Sequence, residues 1–174
     1  MKRFGLMIIA MLLSVAAFAQ QKYDSDFSQT RLVKVSGKTT EMEGHLIYDG
    51  LNDLRMNYSN PEGDYFYISG NLVMMNLNGK KADLDADKVK MVNLQRTTLL
   101  NCISGNWEQA ATDNNADTEV TEKDGFRHVV ITPRGKVPRG GYSSVDLTYR
   151  IKDNALVQMV LEESIGIVNT YVIH

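Results

Sequence analysis

The chain has 174 residues, with 19 Lys and Arg against 21 Asp and Glu and a net charge of −2. Charges of both signs are interspersed, which excludes the basic patch or stripe that a nucleic-acid-binding domain uses to hold phosphates; nucleic acid is not an expected partner. A single cysteine, Cys102, excludes an intrachain disulfide, so the fold must be held by its apolar core.

The first residues read MKRFGLMIIAMLLSVAAFAQ. Lys2 and Arg3 precede an apolar run, Phe4 to Phe18, and Ala17-Phe18-Ala19 forms a small-residue cleavage site. This is the pattern of a secretory signal peptide cut after Ala19, and the run is short for a membrane span. No cysteine follows it, so there is no lipoprotein-type processing site. The expected product is residues 20–174, a single soluble, exported domain, long enough for a real core.

Most of that domain reads as strands. Phe27 to Val35 is the first candidate. Thr40 to Tyr48 sets Met42, Gly44, Leu46 and Tyr48 against Glu41, Glu43 and His45, and Asp49-Gly50 turns. Leu54, Met56 and Tyr58 share one face, with Arg55, Asn57 and Ser59 opposite; a period of two marks a half-buried strand. Tyr65 to Ile68 and Leu72 to Leu77 follow, ending at Asn78-Gly79, a strong hairpin signal. From Asp85 to Cys102 the pattern changes: Val89, Val92, Arg96, Leu99, Leu100 and Ile103 fall near helical spacing, with Ser104-Gly105 as a stop. Asp83 and Asp85 are expected to open this helical insert of one or two short helices, and Ala110 to Asp117 reads as a polar loop. Strands resume at Thr118, turn at Asp124-Gly125 into Phe126 to Thr132, and pass through the basic loop Pro133 to Tyr142. Three more strands close the chain: Val145 to Ile151, Leu156 to Glu162, and Ile167 to Ile173. About ten strands in one sheet must curl or pair with a second layer.

No catalytic constellation emerges, and an enzyme is not expected. His45, His128 and His174 lack partners at metal-ligand spacing. Glu163-Ser164-Ile165-Gly166 is a turn and not a nucleophile elbow. Gly37-Lys38-Thr39 lacks the upstream glycine of a P-loop, and Asp83, Asp85 and Asp87 lack the glycine and glutamate of an EF-hand. No metal or cofactor is expected. Cys102 reads as a buried small hydrophobe.

Six methionines lie beyond the leader: Met42, Met56, Met74, Met75, Met91 and Met159. Most fall in or beside predicted strands, where methionine is not favoured. Methionine is flexible and polarizable and suits surfaces that accept varied guests, although gap-filling between sheet and helices is the plainer use.

The order of features resembles the periplasmic lipoprotein carrier family of the LolA type. The residues that carry the resemblance are Phe27, Gln29, Thr30 and Arg31 (F-x-Q-T-R), a strand with Gly44 and Leu46, LRMNYSNP, ISGN, LLNCISGNW, RHVVITP, and the closing LVQMVLEESIGIVNTYVI. It spans nearly the whole domain. Departures are the short stretch before Phe27, where the family places a helix, Met56 in place of the family's Trp, and Asp49-Gly50-Leu51 in place of a basic residue and proline.

The resemblance implies an α+β, mainly β fold: an incomplete, strongly curved antiparallel β-barrel with short helices as a lid. It implies a carrier that holds the acyl chains of lipoproteins in an apolar hollow and shuttles them from inner to outer membrane, with an inner-membrane lipoprotein-releasing transporter and an outer-membrane acceptor as partners, acting as a monomer. Candidates for the hollow are Leu46, Leu54, Met56, Tyr58, Met74 and Met159; Leu99, Leu100, Ile103 and Trp107 belong to the lid side. Ordinary core packing is the alternative for each. Alternatives for the whole chain are a lipid- or protein-sensing signalling module on the same fold, or a structural domain without a ligand. The basic loop Arg134, Lys136 and Arg139 is a solvated loop or a contact for anionic headgroups or an acidic partner.

Overall fold

The computed structural model describes residues 21–174. The expected signal peptide and its cleavage site lie outside the described residues. Eleven strands form one antiparallel sheet that curls without closing: β1 (Tyr23–Val33), β2 (Lys38–Tyr48), β3 (Asp53–Asn60), β4 (Glu62–Ser69), β5 (Leu72–Leu77), β6 (Lys80–Asp85), β7 (Ala116–Lys123), β8 (Phe126–Pro133), β9 (Tyr142–Arg150), β10 (Ala155–Glu163) and β11 (Ile167–Ile173). Two helices, α1 (Lys90–Ile103) and α2 (Trp107–Asp113), interrupt the strands between β6 and β7.

The strand order is β6-β5-β4-β3-β2-β1-β11-β10-β9-β8-β7. Every neighbour is joined by a hairpin except β1 and β11, the two ends of the strand-forming chain, which pair from Phe27–Ile173 to Val33–Ile167. This one non-local pairing makes two meanders a single sheet. The helical connection runs between the two edge strands, β6 and β7, so α1 must cross the sheet.

Alternation in the sequence becomes the two faces of the sheet. On β2 and β3, Met42, Leu46, Tyr48, Leu54, Met56 and Tyr58 are all buried on the concave side, and Glu41, Glu43, Arg55 and Asn57 are exposed. β9 and β10 add Val145, Leu147, Tyr149, Leu156, Met159 and Leu161 to the same core. Gly44 allows β1 and β3 to crowd β2: a Cβ here would fall 2.2 Å from the Asn57 carbonyl and 2.9 Å from the Phe27 ring. The Phe27 ring instead lies over the glycine and meets Tyr58 edge-on, with centroids 5.3 Å apart.

The structure corrects the expected elements in four places. An eleventh strand, β6, follows the Asn78-Gly79 turn, whose positive φ angles of 53° and 74° suit a two-residue hairpin. Asp83 and Asp85 therefore sit on a strand and do not open the helix; α1 starts at Lys90 with no acidic residue in its first turn. Trp107–Asp113 is helical where a polar loop is expected from Ala110, because Ala110 and Ala111 bury a small apolar face. Ile151 continues the alternation of β9 in sequence but lies in the following turn, 40% exposed.

Candidate functional site

The curled sheet leaves a hollow of about 540 Å³ between its concave face and α1. That is within the range of about 300–1,000 Å³ for sites that hold one small ligand. One wall is apolar and comes from β2 to β6: Met42, Met56, Phe66, Val73, Met75 and Leu84. The roof is α1, which points Val92, Gln95, Arg96 and Leu99 into the space. Exposed Asn78, Lys80 and Lys81 line the rim.

Few polar bonds hold the roof to the sheet. Gln95 and Arg96, adjacent in sequence, grip opposite halves of the curl. Gln95 Nε2 donates to the Gly140 carbonyl at 2.7 Å, in the loop between β8 and β9. Arg96 donates to the Gly70 carbonyl at 3.0 Å, in the turn between β4 and β5. At the C-terminal end of α1, the Tyr149 hydroxyl donates to the Cys102 carbonyl at 2.6 Å. Thr98, Leu99, Leu100, Cys102 and Ile103 bury the inner face of the helix.

The far wall is polar, and reading the sequence for apolar residues missed it. Gln29, Arg31, Asn169 and Glu163 line it together with Tyr142 and Tyr171. Tyr58 donates to Gln29 Oε1 at 2.6 Å, Gln29 Nε2 donates to Asn169 Oδ1 at 3.1 Å, and Asn169 Nδ2 reaches Glu163 Oε1 at 3.4 Å. Gln29 and Asn169 are buried, and hydrogen bonding is what makes burying them tolerable. Burial pushes the Glu163 carboxyl above its ordinary value, opposed by nearby Arg31. Burial also raises the hydroxyls of Tyr58, Tyr142 and Tyr171 above their ordinary value. A sequence signal existed: Gln29 and Arg31 continue the inward phase of Phe27 on β1.

The expected site residues divide into four groups. Met56, Tyr58 and Leu99 line the hollow. Leu46, Leu54, Leu100, Ile103 and Met159 pack in the core beneath and beside it without lining it. Trp107 lies in a separate groove near α2 with Glu108, Thr118 and Arg134. Met74 is on the outer face of the sheet beside Ile47, Arg55 and Tyr67, because the inward positions of β5 are Val73, Met75 and Leu77. Residues of the hollow absent from the expected set include Met42, Phe66, Val73 and Met75 on the apolar side.

Among the described residues, no helix is long and apolar enough to cross a membrane. No protein-family model and no curated protein matches the chain. Among solved structures it is similar to a LolA superfamily protein from Nitrosomonas europaea, with 8% identity and a TM-score of 0.40 over 90% of this chain and 86% of that one. It is also similar to the lipoprotein LppX of Mycobacterium tuberculosis, with 11% identity and a TM-score of 0.32 over 87% and 85% of the two chains. A third likeness is to MucB, solved in complex with MucA(peri), with 12% identity and a TM-score of 0.42. It covers 86% of this chain and 48% of MucB. The first of these bears the name of the family that the sequence motifs resemble. Scores this low leave the function to be read from the hollow itself.

Proposed function

We propose that the protein is an acyl-chain carrier of the periplasm, which takes up the acyl chains of lipoproteins and moves them from inner to outer membrane. The observation that carries the reading is the roofed hollow of about 540 Å³ with three methionines, Met42, Met56 and Met75, and Phe66 in its apolar wall. Methionines adapt to a flexible guest. Each acyl CH₂ left in water costs about 0.8 kcal/mol, so a chain of about fifteen carbons costs on the order of 12 kcal/mol. A protein that ferries such a chain through water must replace most of that loss.

Delivery requires the grip to be reversible. α1 is strapped to the sheet by three hydrogen bonds from named side chains, each a net contribution of about 1 kcal/mol. Among the described residues the two edge strands, β6 and β7, pair with nothing on their outer sides, so the curl can open without breaking a closed barrel. A membrane transporter that loads the carrier and an outer-membrane acceptor that unloads it are the partners this role requires. No step makes or breaks a covalent bond.

The test is native mass spectrometry of the protein recovered from the periplasm of its source cells. The expected result is added mass that resolves into acylated peptide or lipoprotein. Protein that remains bare when offered purified lipoprotein in excess would end the carrier reading.

A further inference from the structure

The hollow has two chemically different sides. The apolar side on β2 to β6 and α1 can hold a hydrocarbon chain. The opposite side presents a cation and two hydroxyls that have no use in the fold. Arg31 is half-buried, lines the hollow, and among the described residues has no carboxylate within ion-pair distance and donates no hydrogen bond. The Tyr142 and Tyr171 side chains line the same wall, and among the described residues neither hydroxyl has a partner or is sealed from the cavity. A half-buried guanidinium that faces the hollow without a protein partner offers its fork of donors to a guest, and a planar anionic oxygen group matches that fork best.

Placement makes the cluster a site and not scattered polarity. Arg31 pairs across the sheet with Asn169, and Gln29 with Tyr171. Tyr142 on β9 stands opposite Glu163 on β10, and β10 is two strands from β1. These residues therefore occupy one patch over β1, β11, β10 and the start of β9. The chain Tyr58–Gln29–Asn169–Glu163 fixes the amides behind them. Glu163, the one carboxylate in the patch, is turned toward Asn169.

We infer that this wall is a head-group subsite: the hollow takes a single acyl chain against β2 to β6 and seats an anionic oxygen head, carboxylate or phosphate, on Arg31 with the hydroxyls of Tyr142 and Tyr171. The inference rests on the hollow holding an acyl chain and departs from the lipoprotein client: acyl chains bound as esters or amides end in no anion, so the guest named here is a free fatty acid or a phosphate-headed lipid. A volume of about 540 Å³ suits one chain with its head.

The experiment compares binding of hexadecanoate, hexadecyl phosphate and hexadecanol to residues 20–174 by calorimetry at pH 8. The chain is the same in all three and only the head changes. The expected result is at least tenfold tighter binding of one or both anionic lipids than of the alcohol. Which anion gains more identifies the head as carboxylate or phosphate. Arg31→Met should bring the anionic lipids down to the affinity of the alcohol, and an unchanged circular dichroism spectrum shows that the variant is folded. Tyr171→Phe, a smaller change, should weaken the anions several-fold, and Glu163→Gln should tighten them. Equal affinity for all three lipids would overturn the subsite and leave the acyl-binding reading standing. No binding of any of them would overturn both.

Discussion

The Tyr149 hydroxyl and the Cys102 carbonyl, 2.6 Å apart, join a fully buried side chain at the C-terminal end of β9 to the last turn of α1. This bond holds the roof where the hollow ends and the solid core begins. Tyr149→Phe keeps the ring and removes only the bond, so it should cost about 1 kcal/mol, the net worth of one such hydrogen bond. Hydrogen exchange should report it as roughly fivefold faster exchange of the α1 amides, with β1 and β2 unchanged.

Met74 and Met75 are neighbours on β5 that point to opposite sides of the sheet, and only Met75 lines the hollow. Met75→Asp places a charge in the apolar wall, where an unpaired carboxylate is expensive. Affinity for an acyl ligand should fall at least tenfold. Met74→Asp, one residue away, should leave it unchanged. A titration with a fluorescent fatty acid checks the pair, and equal losses in both variants would place the ligand somewhere else.

Gly44 has no room for a side chain. In Gly44→Ala the new methyl meets backbone atoms, the Asn57 carbonyl and the Tyr58 Cα, which cannot rotate away as a side chain would. Overpacking of this kind costs about 3 kcal/mol, or a fall in Tm of roughly 10 °C for a chain of this size. Thermal denaturation followed by circular dichroism measures it.

Cys102 is fully buried, and burial pushes its thiol up to about 12. Little thiolate exists at pH 8, and reagent cannot reach it. Labelling by a thiol reagent should be negligible in the folded protein and complete in denaturant. Rapid labelling under native conditions would mean that α1 detaches readily.

His45, on the outer face, is held between Asp24 and Asp26, with Nε2 and Nδ1 at 2.7 and 2.8 Å from their carboxylates. Hydrogen bonds to Asp26 and Asp24 raise it above its ordinary value of 6.5. A raised folded-state value means that the stabilisation is complete below pH 6.5 and is lost as pH rises through the folded-state value. All three groups are well exposed, so the effect on stability is small. NMR titration should place His45 above 6.5, and Asp24→Asn with Asp26→Asn should bring it back down.

How much was legible depended on the local pattern. Leu54, Met56 and Tyr58 share the buried face that their spacing implies, because a period of two leaves only one phase with the apolar residues together. LVMMNL on β5 gives no such phase: two methionines in succession fit either register, and Met74 fell on the outer side. β6 escaped notice because KKADLD carries only two apolar residues, and a short edge strand needs few. α2 escaped because its alanines bury an area too small to show as a stripe.

The amino-acid sequence by itself determined a single antiparallel strand system with a helical insert and one buried cysteine, since alternation, turn residues and helical spacing are local properties of a chain. Only the tertiary structure decided that β1 pairs with β11, that α1 crosses the curl to leave a hollow, and that Arg31, Tyr142 and Tyr171 line it together. These are relations between residues far apart in the chain, more than a hundred positions for β1 with β11 and for Arg31 with Tyr142. They depend on how far the sheet twists and on which side the helix packs, and no window of the sequence carries that information.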